Sequence, residues 1–286
     1  MRWTLHLPRS GPGSCALWAC AFDRSRPHWF AARATHPADA WRPIETGVEI
    51  DGSALSGDGC HGTIDDADGR HMDWHLRWES HAEAVSYFPG VLERMAASAT
   101  FPIAVIPMAQ MHGTVSIDGE TVSADGTAVE QTHLFGGRHA ARWRWLHALG
   151  FDGDKDGYLT LIWARPQRLG GAVPAASSLA LRVGGRTLRS GGATAFRAVR
   201  WRDTGPETAQ FHARLEGTEV EGEVTARRDW ITGVTYHDPD GSRVYCANTE
   251  VADLRVRVGG DEFVCTAACG FERGGRAPLQ GVWMPL

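Results

Sequence analysis

The sequence predicts an all-β fold of two barrel-like halves with little helix. Apolar and polar residues alternate strictly over residues 72–78, and the same period of two recurs at 211–215 and 254–258. Because successive side chains of a strand point to opposite faces, this alternation indicates strands with one buried face. Paired turn residues, which suit tight hairpins, separate these stretches. The pairs are 68–69, 118–119, 125–126, 156–157, 184–185, 240–241 and 259–260, each Asp-Gly or Gly-Gly.

The chain has 286 residues, which is enough for one large or two ordinary domains. Residues 165–178 are rich in Gly, Pro, Ala and Ser, a composition typical of a connection between domains. We therefore expect an N-terminal half over residues 1–170 and a C-terminal half over residues 171–286, each long enough for a β-barrel or a strongly bent sandwich. A helical period is scarce. Its best candidate, residues 81–97, is interrupted at Pro89 and leaves room for one short helix after that proline.

The composition excludes several classes of function. A hydrophobic content of 43% and a charged content of 22% are those of a globular protein. The net charge of −5 gives no basic surface for nucleic acid, and no apolar stretch is long enough to cross a membrane. A P-loop and a dinucleotide-binding G-x-G-x-x-G after a strand are both absent. We expect a cytoplasmic protein without an organic cofactor. Its six cysteines are expected to be buried free thiols, with a Cys15–Cys20 or Cys265–Cys269 disulfide as the alternative.

The densest group of polar and aromatic residues lies at 129–147. Its first strand places Gln131 and His133 on one face, and Glu130 and Thr132 on the other. A Gly-Gly pair follows this strand and permits a turn or bulge, a feature that often lies beside functional sites. The segment is therefore the first candidate for a site.

The next strand of this segment carries Trp143, Trp145 and His147 on one face. A histidine near two indoles could transfer a proton in an apolar pocket, and the indole faces could stabilise a developing carbocation. The alternative is that the tryptophans belong to the core and the histidines are hydrogen-bonded residues at its rim.

A metal site is not predicted. His133, His139 and His147 are spaced six and eight residues apart, which does not bring two ligands together on one strand or helix face. Asp73 and His75 share a face and could ligate, but polar residues on the exposed side of a strand explain them equally well.

The C-terminal half offers a second group of polar residues. Tyr236 precedes a turn that contains Pro239 and Gly241, and Asn248 and Glu250 share one face of the following strand. If that face is buried, both polar side chains need partners. They are then either site residues or part of a polar network between the barrels.

The order of these pieces resembles that of the double-lipocalin superfamily. The superfamily includes carotenoid 1,2-hydratases (hydroxyneurosporene synthases), tocopherol cyclases and lipocalin-like Diels–Alderases. The matching segments are residues 113–119 (GTVSIDG), 133–136 (HLFG), 143–145 (WRW), 236–241 (YHDPDG) and 248–250 (NTE). The central family pattern is Tyr-x-Asp-His-x-Trp-Gly followed by Trp-x-Trp.

The chain departs from that pattern at two positions. Thr132 stands where the family has its acid, and Phe135 stands where the family has tryptophan. The carry-over of an aspartate general acid is therefore in doubt. Glu130 lies on the same strand face as Thr132 and could take its place.

The resemblance implies two lipocalin-like antiparallel β-barrels packed together, with an apolar pocket near their junction. It also implies hydration, proton-initiated cyclisation or pericyclic ring closure of a polyene, prenyl or polyketide substrate without a cofactor. The expected catalytic residues are His133, Glu130 and His139. The expected substrate-binding residues are Gln131, Trp143, Trp145, Trp74, Trp78, Tyr236, Asn248 and Glu250.

Two functions of different classes follow. The first is a lyase- or isomerase-type enzyme of natural-product biosynthesis that holds its substrate in a near-attack conformation. The second is a non-catalytic carrier for a hydrophobic small molecule, as ordinary lipocalins are. A carrier needs no cluster of histidine and glutamate in its pocket, and the sequence indicates such a cluster.

Overall fold

In the computed structural model, strands account for most of the chain. The described residues are 1–80, 83–88, 99–167, 175–190 and 198–286. Within them, the helical elements are two single 3-10 turns, Ala38–Ala40 and Arg228–Trp230. The predicted all-β fold is confirmed. The short helix expected after Pro89 falls on residues 89–98, which lie outside the described part of the chain.

Antiparallel pairing joins the strands into three sheets. The first sheet consists of β1 (Arg2–His6), β2 (Ser14–Asp23) and β3 (Arg26–Pro37). The second consists of β4 (Trp41–Ile44), β5 (Gly47–Ile50), β6 (Ser53–Ser56), β7 (Gly59–Asp65), β8 (His71–Glu79), β9 (Val85–Ser86), β10 (Thr100–Ile117), β11 (Glu120–Ser123) and β12 (Thr127–Gly136). The third consists of β13 (Arg142–Phe151), β14 (Asp154–Arg165), β15 (Ala176–Val183), β16 (Arg186–Arg189), β17 (Val199–Asp203), β18 (Thr208–Leu215), β19 (Thr218–Thr225), β20 (Thr232–His237), β21 (Arg243–Val258) and β22 (Asp261–Gly275).

The predicted alternation is present in the strands. In β8, buried and exposed residues alternate without exception, and Met72, Trp74, Leu76 and Trp78 are all buried. Glycine takes a positive φ in every predicted turn pair except 156–157. That prediction is wrong, because those residues lie inside β14, and Asp152 and Gly153 make the turn of the hairpin.

Each barrel encloses its own apolar core. The first and second sheets enclose one core, in which Phe30 of β3 and Met72 of β8 are almost completely buried. The third sheet curls until the backbone N–H of Val199 on β17 donates to Ser177 Oγ on β15 at 3.0 Å. It encloses a larger core that includes Leu146. The predicted architecture of two lipocalin-like antiparallel barrels is confirmed.

The pairing of β13 and β14 bears on where the chain divides. Both strands belong to the third sheet, and β14 pairs directly with β15 from Ala164 opposite Ala176. The glycine- and proline-rich stretch therefore connects two strands of one sheet. The division at residue 170 stays a prediction, and the pairing favours a division between Gly136 and Arg142.

Two apolar patches pack between the barrels on the outer face of the third sheet. In one, Trp18 of β2 packs with Trp143, Val244 and Cys246. In the other, residues 85–88 and part of β10 pack against the outward side chains of β14. We call the space between these two patches the junction.

Two further expectations bear on the whole chain. All six cysteines are free thiols, and five of them are buried. Among the described residues, no helix has the length and apolarity needed to cross a membrane.

Candidate acid–base site at the barrel junction

The outer face of the third sheet places polar side chains at the junction. On β13, Leu146 faces the barrel core, so Trp145 and His147 face outward. His147 lies opposite Gly270 of β22 on one side and Thr160 of β14 on the other. Strand alternation alone therefore brings these outward positions into one row.

Gly270 allows two charged side chains to meet across it. A Cβ atom at this position would lie 2.1 Å from Nε2 of His147 and 2.6 Å from Oε2 of Glu250. Glu250 reaches this point from β21, beside an irregularity in the pairing between Thr249 and Ala252. A residue without a side chain is thus required at position 270 for the pair to form.

His147 is the centre of the site. Its Nε2 lies 2.7 Å from Oε2 of Glu250, and its Nδ1 lies 3.8 Å from Oε2 of Glu130. Burial by itself would lower the pKa of His147, but the charges of Glu250 and Glu130 outweigh it and raise the pKa to about 10. The ring is therefore an imidazolium near neutral pH.

Glu130 lies in a hydrogen-bonded and desolvated position. Thr132 Oγ1 donates to its Oε1 at 2.8 Å, and the Tyr87 hydroxyl lies 3.5 Å from the same oxygen. Tyr87 also hydrogen-bonds the Thr160 hydroxyl. Only 7% of the Glu130 side chain is exposed. Burial raises the pKa of Glu130, and the nearby charge of His147 offsets this only in part.

Glu250 has the opposite electrostatic balance. Burial acts to raise its pKa, but the charge and hydrogen bond of His147, together with a 3.3 Å hydrogen bond from Asn248 Nδ2, leave the pKa lowered. The side chain keeps 40% of its surface exposed, so small molecules can reach it. One site thus holds two carboxyl groups whose pKa values are pushed apart, an arrangement that separates an acid from a base.

Aromatic rings surround these carboxyl groups. The Trp145 ring makes edge contacts with Tyr87 at 6.4 Å and with His147 at 6.1 Å. Farther along β13, the Trp143 indole N–H donates to Oε2 of Glu272 at 3.2 Å. The rings provide apolar walls with electron-rich faces.

The far end of the site is built around Tyr236. Arg2 Nη1 donates to its hydroxyl at 2.6 Å. The ring stacks on His139 at 5.2 Å, and the edge of Trp18 lies 5.8 Å away. His139 Nδ1 is itself 2.7 Å from Oδ1 of the buried Asp238. These contacts fix the position of the phenol.

The structure brings most of the predicted site residues together. Glu130, Trp145, Asn248 and Glu250 surround His147, as described above. Trp143, His139 and Tyr236 form the far end of the same face.

Four predicted positions differ from expectation. The expected pocket position of His133 is wrong: its side chain is exposed and its ring stacks on Phe135 at 5.7 Å. Gln131 points away from Glu130, and its Oε1 is buried without a hydrogen-bond partner. Trp74 and Trp78 lie in the core of the first barrel because they share its inward strand face. The predicted site roles of all four residues stay predictions, and their placement in the structure does not favour those roles.

Sequence reasoning missed four members of the site: Tyr87, Thr160, Glu272 and Arg2. It named His147 beside the two tryptophans but did not place it among the expected catalytic residues. The signal for His147 was present, because it shares a strand face with both tryptophans. Thr160 lies on the next strand, and Tyr87, Glu272 and Arg2 lie far away along the chain; nothing in the local pattern of residues marks any of the four.

Among the described residues, no group of three or more His, Cys, Asp or Glu side chains is arranged to hold a metal ion. No protein-family model matches the chain. Over 194 residues, the chain is 28% identical to the uncharacterized proteins Rv0493c and MT0513 of Mycobacterium tuberculosis strains H37Rv and CDC 1551. The match covers 67% of this chain and 57% of those relatives, so the chain spans little more than half of their length.

Two solved structures share the fold. The AttH-like protein NE1406 of Nitrosomonas europaea is 14% identical, with a TM-score of 0.53, over 96% of this chain and 86% of its own. CghA, solved with Sch210972, is 11% identical, with a TM-score of 0.52, over the same shares. These likenesses show the fold, which is that of lipocalin-like double-barrel proteins.

Proposed function

We propose that this protein is an enzyme that hydrates or cyclises a hydrophobic polyene, prenyl or polyketide substrate by proton transfer at the barrel junction. The observation that carries the proposal is the pair of glutamates on either side of His147. Glu130 has a raised pKa and Glu250 a lowered one, and both lie beside the same imidazolium. A structural ion pair needs only one of these carboxylates.

The proton donor in this reaction is Glu130. Its pKa is moved toward neutral pH, where a general acid is most effective, whereas His147 holds its proton up to a pKa of about 10. The Glu130 proton adds to one alkene carbon, and the π electron pair forms the new C–H bond. The positive charge then resides on the neighbouring carbon.

Two routes complete the reaction. In hydration, a water oxygen bonds to the cationic carbon, and its extra proton passes to the Glu250 carboxylate. In cyclisation, a second alkene of the substrate attacks the cationic carbon, and a proton is lost from the product cation to the same carboxylate. Proton exchange with solvent restores Glu130 and Glu250. Neither route needs an oxidant, a reductant or an organic cofactor.

The aromatic walls have a direct role in this chemistry. The ring of Trp145, which lies beside His147, can stabilise a carbocation, and the buried rings of Trp143 and Tyr87 help to exclude water that would quench it early. His147 offsets the negative charge that Glu130 gains when it releases its proton. CghA, which shares the fold, was solved with Sch210972, and this supports a fold that accommodates a ligand.

The test is turnover in deuterated water with a panel of linear prenyl alcohols and polyenes. Mass spectrometry should reveal a product that has gained the elements of water for hydration, or a cyclised product with no added oxygen, and in either case one deuterium from the solvent on carbon. Glu130→Gln should lower turnover by about 10²-fold or more, the usual scale for general acid–base catalysis. Glu49→Gln, on β5 in the first barrel, is the matched control and should leave turnover unchanged.

Three outcomes would contradict the proposal. Unchanged turnover in Glu130→Gln would show that Glu130 is not the proton donor. A cyclised product without solvent deuterium would indicate a pericyclic closure directed by shape. Ligand binding without any product would indicate a carrier.

A further inference from the structure

The Tyr236 hydroxyl has an uncommitted hydrogen. Its oxygen accepts a 2.6 Å hydrogen bond from Arg2 Nη1, and the Arg2 guanidinium lies 4.8 Å above the ring centroid. No acceptor among the described residues takes the phenolic hydrogen. A hydroxyl that accepts from a cation is polarised and donates more strongly in turn. The phenol is therefore a strong donor that lacks an acceptor.

The position of this donor is fixed by the surroundings of the Tyr236 ring. The Tyr236 ring is parallel to His139 within 4° at 5.2 Å, and Trp18 meets it at 60°. Asp238 holds His139 through both its ring and its backbone N–H. Little entropy is lost when such a prepositioned group binds an acceptor.

The charges at this end favour a neutral acceptor. Glu272 lies within electrostatic range of Arg2 and offsets its positive charge. Burial raises the pKa of Tyr236, so the phenol stays protonated and donates. A carboxylate would meet the repulsion of Glu272, whereas a carbonyl oxygen would not.

The two ends of the site are separated by a known length of strand. Trp143 contacts the His139 ring at the Tyr236 end, and His147 lies at the Glu130 end. His147 follows Trp143 by four positions on β13, and this rise along the strand corresponds to about 13 Å. A molecule that contacts both ends therefore needs an extended chain of about that length.

We infer that Tyr236, backed by Arg2, binds a carbonyl oxygen at one end of an elongated apolar substrate whose alkene reacts near Glu130. This rests on the proposed function and adds the substrate class: an apolar chain with a ketone, aldehyde, ester or amide carbonyl, not a free carboxylate. Tyr236 is an anchoring residue and takes no part in the proton transfer.

The test uses binding, so it does not depend on turnover. The probe is farnesylacetone labelled with ¹³C at the carbonyl carbon. Its comparison is the alkene in which a CH₂ group replaces the carbonyl oxygen. The wild type should bind the ketone about 3- to 10-fold more tightly, the scale of one neutral hydrogen bond. The bound carbonyl carbon should move downfield in the NMR spectrum.

Tyr236→Phe keeps the stacked ring and removes only the donor. It should bind ketone and alkene equally and lose the downfield shift, and Arg2→Met should reduce that shift. Tyr245→Phe, one residue before Cys246 on β21 and on the opposite strand face, is the control and should behave as wild type. A Tyr236→Phe variant that keeps the preference would overturn the inference. Failure of the wild type to bind the ketone, or tighter binding of farnesylacetic acid, would do the same.

Failure of the inference can be told apart from failure of the proposed function. Glu130→Gln should keep the full ketone preference, because Glu130 lies at the other end of the site. If Glu130→Gln keeps its turnover and Tyr236→Phe still loses the preference, only the acid mechanism fails. If turnover falls in Glu130→Gln as expected and Tyr236→Phe keeps the ketone preference, only the anchoring role of Tyr236 fails.

Discussion

The two faces of the ten-stranded sheet are made by the same strands and have opposite compositions. The inward face is mostly apolar, and Leu146, Leu161 and Phe271 are almost completely buried there. Its buried charge, Arg144, is paired with Asp203. The outward face at the junction carries His147, which follows Leu146 in the sequence, and Glu272, which follows Phe271. The inward side chains stabilise the barrel through burial. Burial of the outward charges costs free energy. The charges of Glu250 and Glu130 more than offset this cost for His147, whereas the ionised form of Glu130 stays disfavoured, so the retention of Glu130 needs a reason other than stability.

This contrast explains how a site can form without a special loop or motif. Because the side-chain period of a strand is two, every second residue of β13 is assigned to the junction once the core face is fixed. A polar residue at such a position is harmless to the barrel core. Strands that supply a core can therefore also supply a site.

The largest effect on stability should come from the inward face. Leu146→Ala should lower the free energy of unfolding by about 2–5 kcal/mol, the usual cost of a buried leucine side chain and the cavity that its removal leaves. Turnover per folded molecule should stay within about twofold. Urea unfolding followed by tryptophan fluorescence measures the first quantity. A loss of activity in molecules that remain folded would show that the two faces are coupled.

A smaller effect on stability, with a larger one on function, should come from Gly270. In Gly270→Ala, the new Cβ atom would lie 2.1 Å from Nε2 of His147, so the pair with Glu250 must separate. We expect a stability loss of about 1–3 kcal/mol, as for other overpacked positions. Turnover should fall by about tenfold or more. Gly57→Ala is the control, because its Cβ would meet no atom within 4 Å. Equal turnover in both variants would contradict the role of the pair.

The pH dependence of stability offers a third way to separate the faces. The pKa of His147 is raised to about 10 in the folded protein, so its contribution to stability is complete below about pH 6.5. It is lost as the pH rises toward 10, with a slope of at most about 1.4 kcal/mol per pH unit. His147→Gln should remove this dependence between pH 6.5 and 10. His75→Gln, on the exposed face of β8, should keep it.

The sequence predicted the fold because the signal for a strand is local. The alternation of residues 72–78 reports its buried face without reference to any distant residue. The turn at 156–157 was predicted one pair too late because Asp152 and Gly153 offer the same chemistry four residues earlier. Local chemistry alone does not decide which of two adjacent Asp-Gly pairs makes the hairpin.

The sequence indicated site residues in two dense local groups. Glu130, Trp143 and Trp145 lie in one short segment, and Asn248 and Glu250 lie in another. Arg2 and Glu272 come from opposite ends of the chain, and only the packing of the first sheet on the third brings them to Tyr236. His133 was misplaced because a match to a motif fixes a position in the sequence and not the environment of a side chain.

The last prediction reverses the usual sign of a substitution in a buried site. Burial raises the pKa of Glu130 despite the nearby charge of His147, so the folded state disfavours its ionised form. Above the unfolded pKa of about 4.5, ionisation of Glu130 therefore lowers stability. Glu130→Gln keeps an oxygen that can accept from Thr132 and removes this cost. We expect the free energy of unfolding at pH 7 to rise by about 0.5–2 kcal/mol, a common gain when a functional group is removed. The gain should disappear near pH 4, where the carboxyl is protonated in both states, and Glu49→Gln should change stability by less than about 0.5 kcal/mol. A loss of stability at pH 7 in Glu130→Gln would make this carboxylate a structural partner of His147, and the contrast between the two faces would then not extend to Glu130.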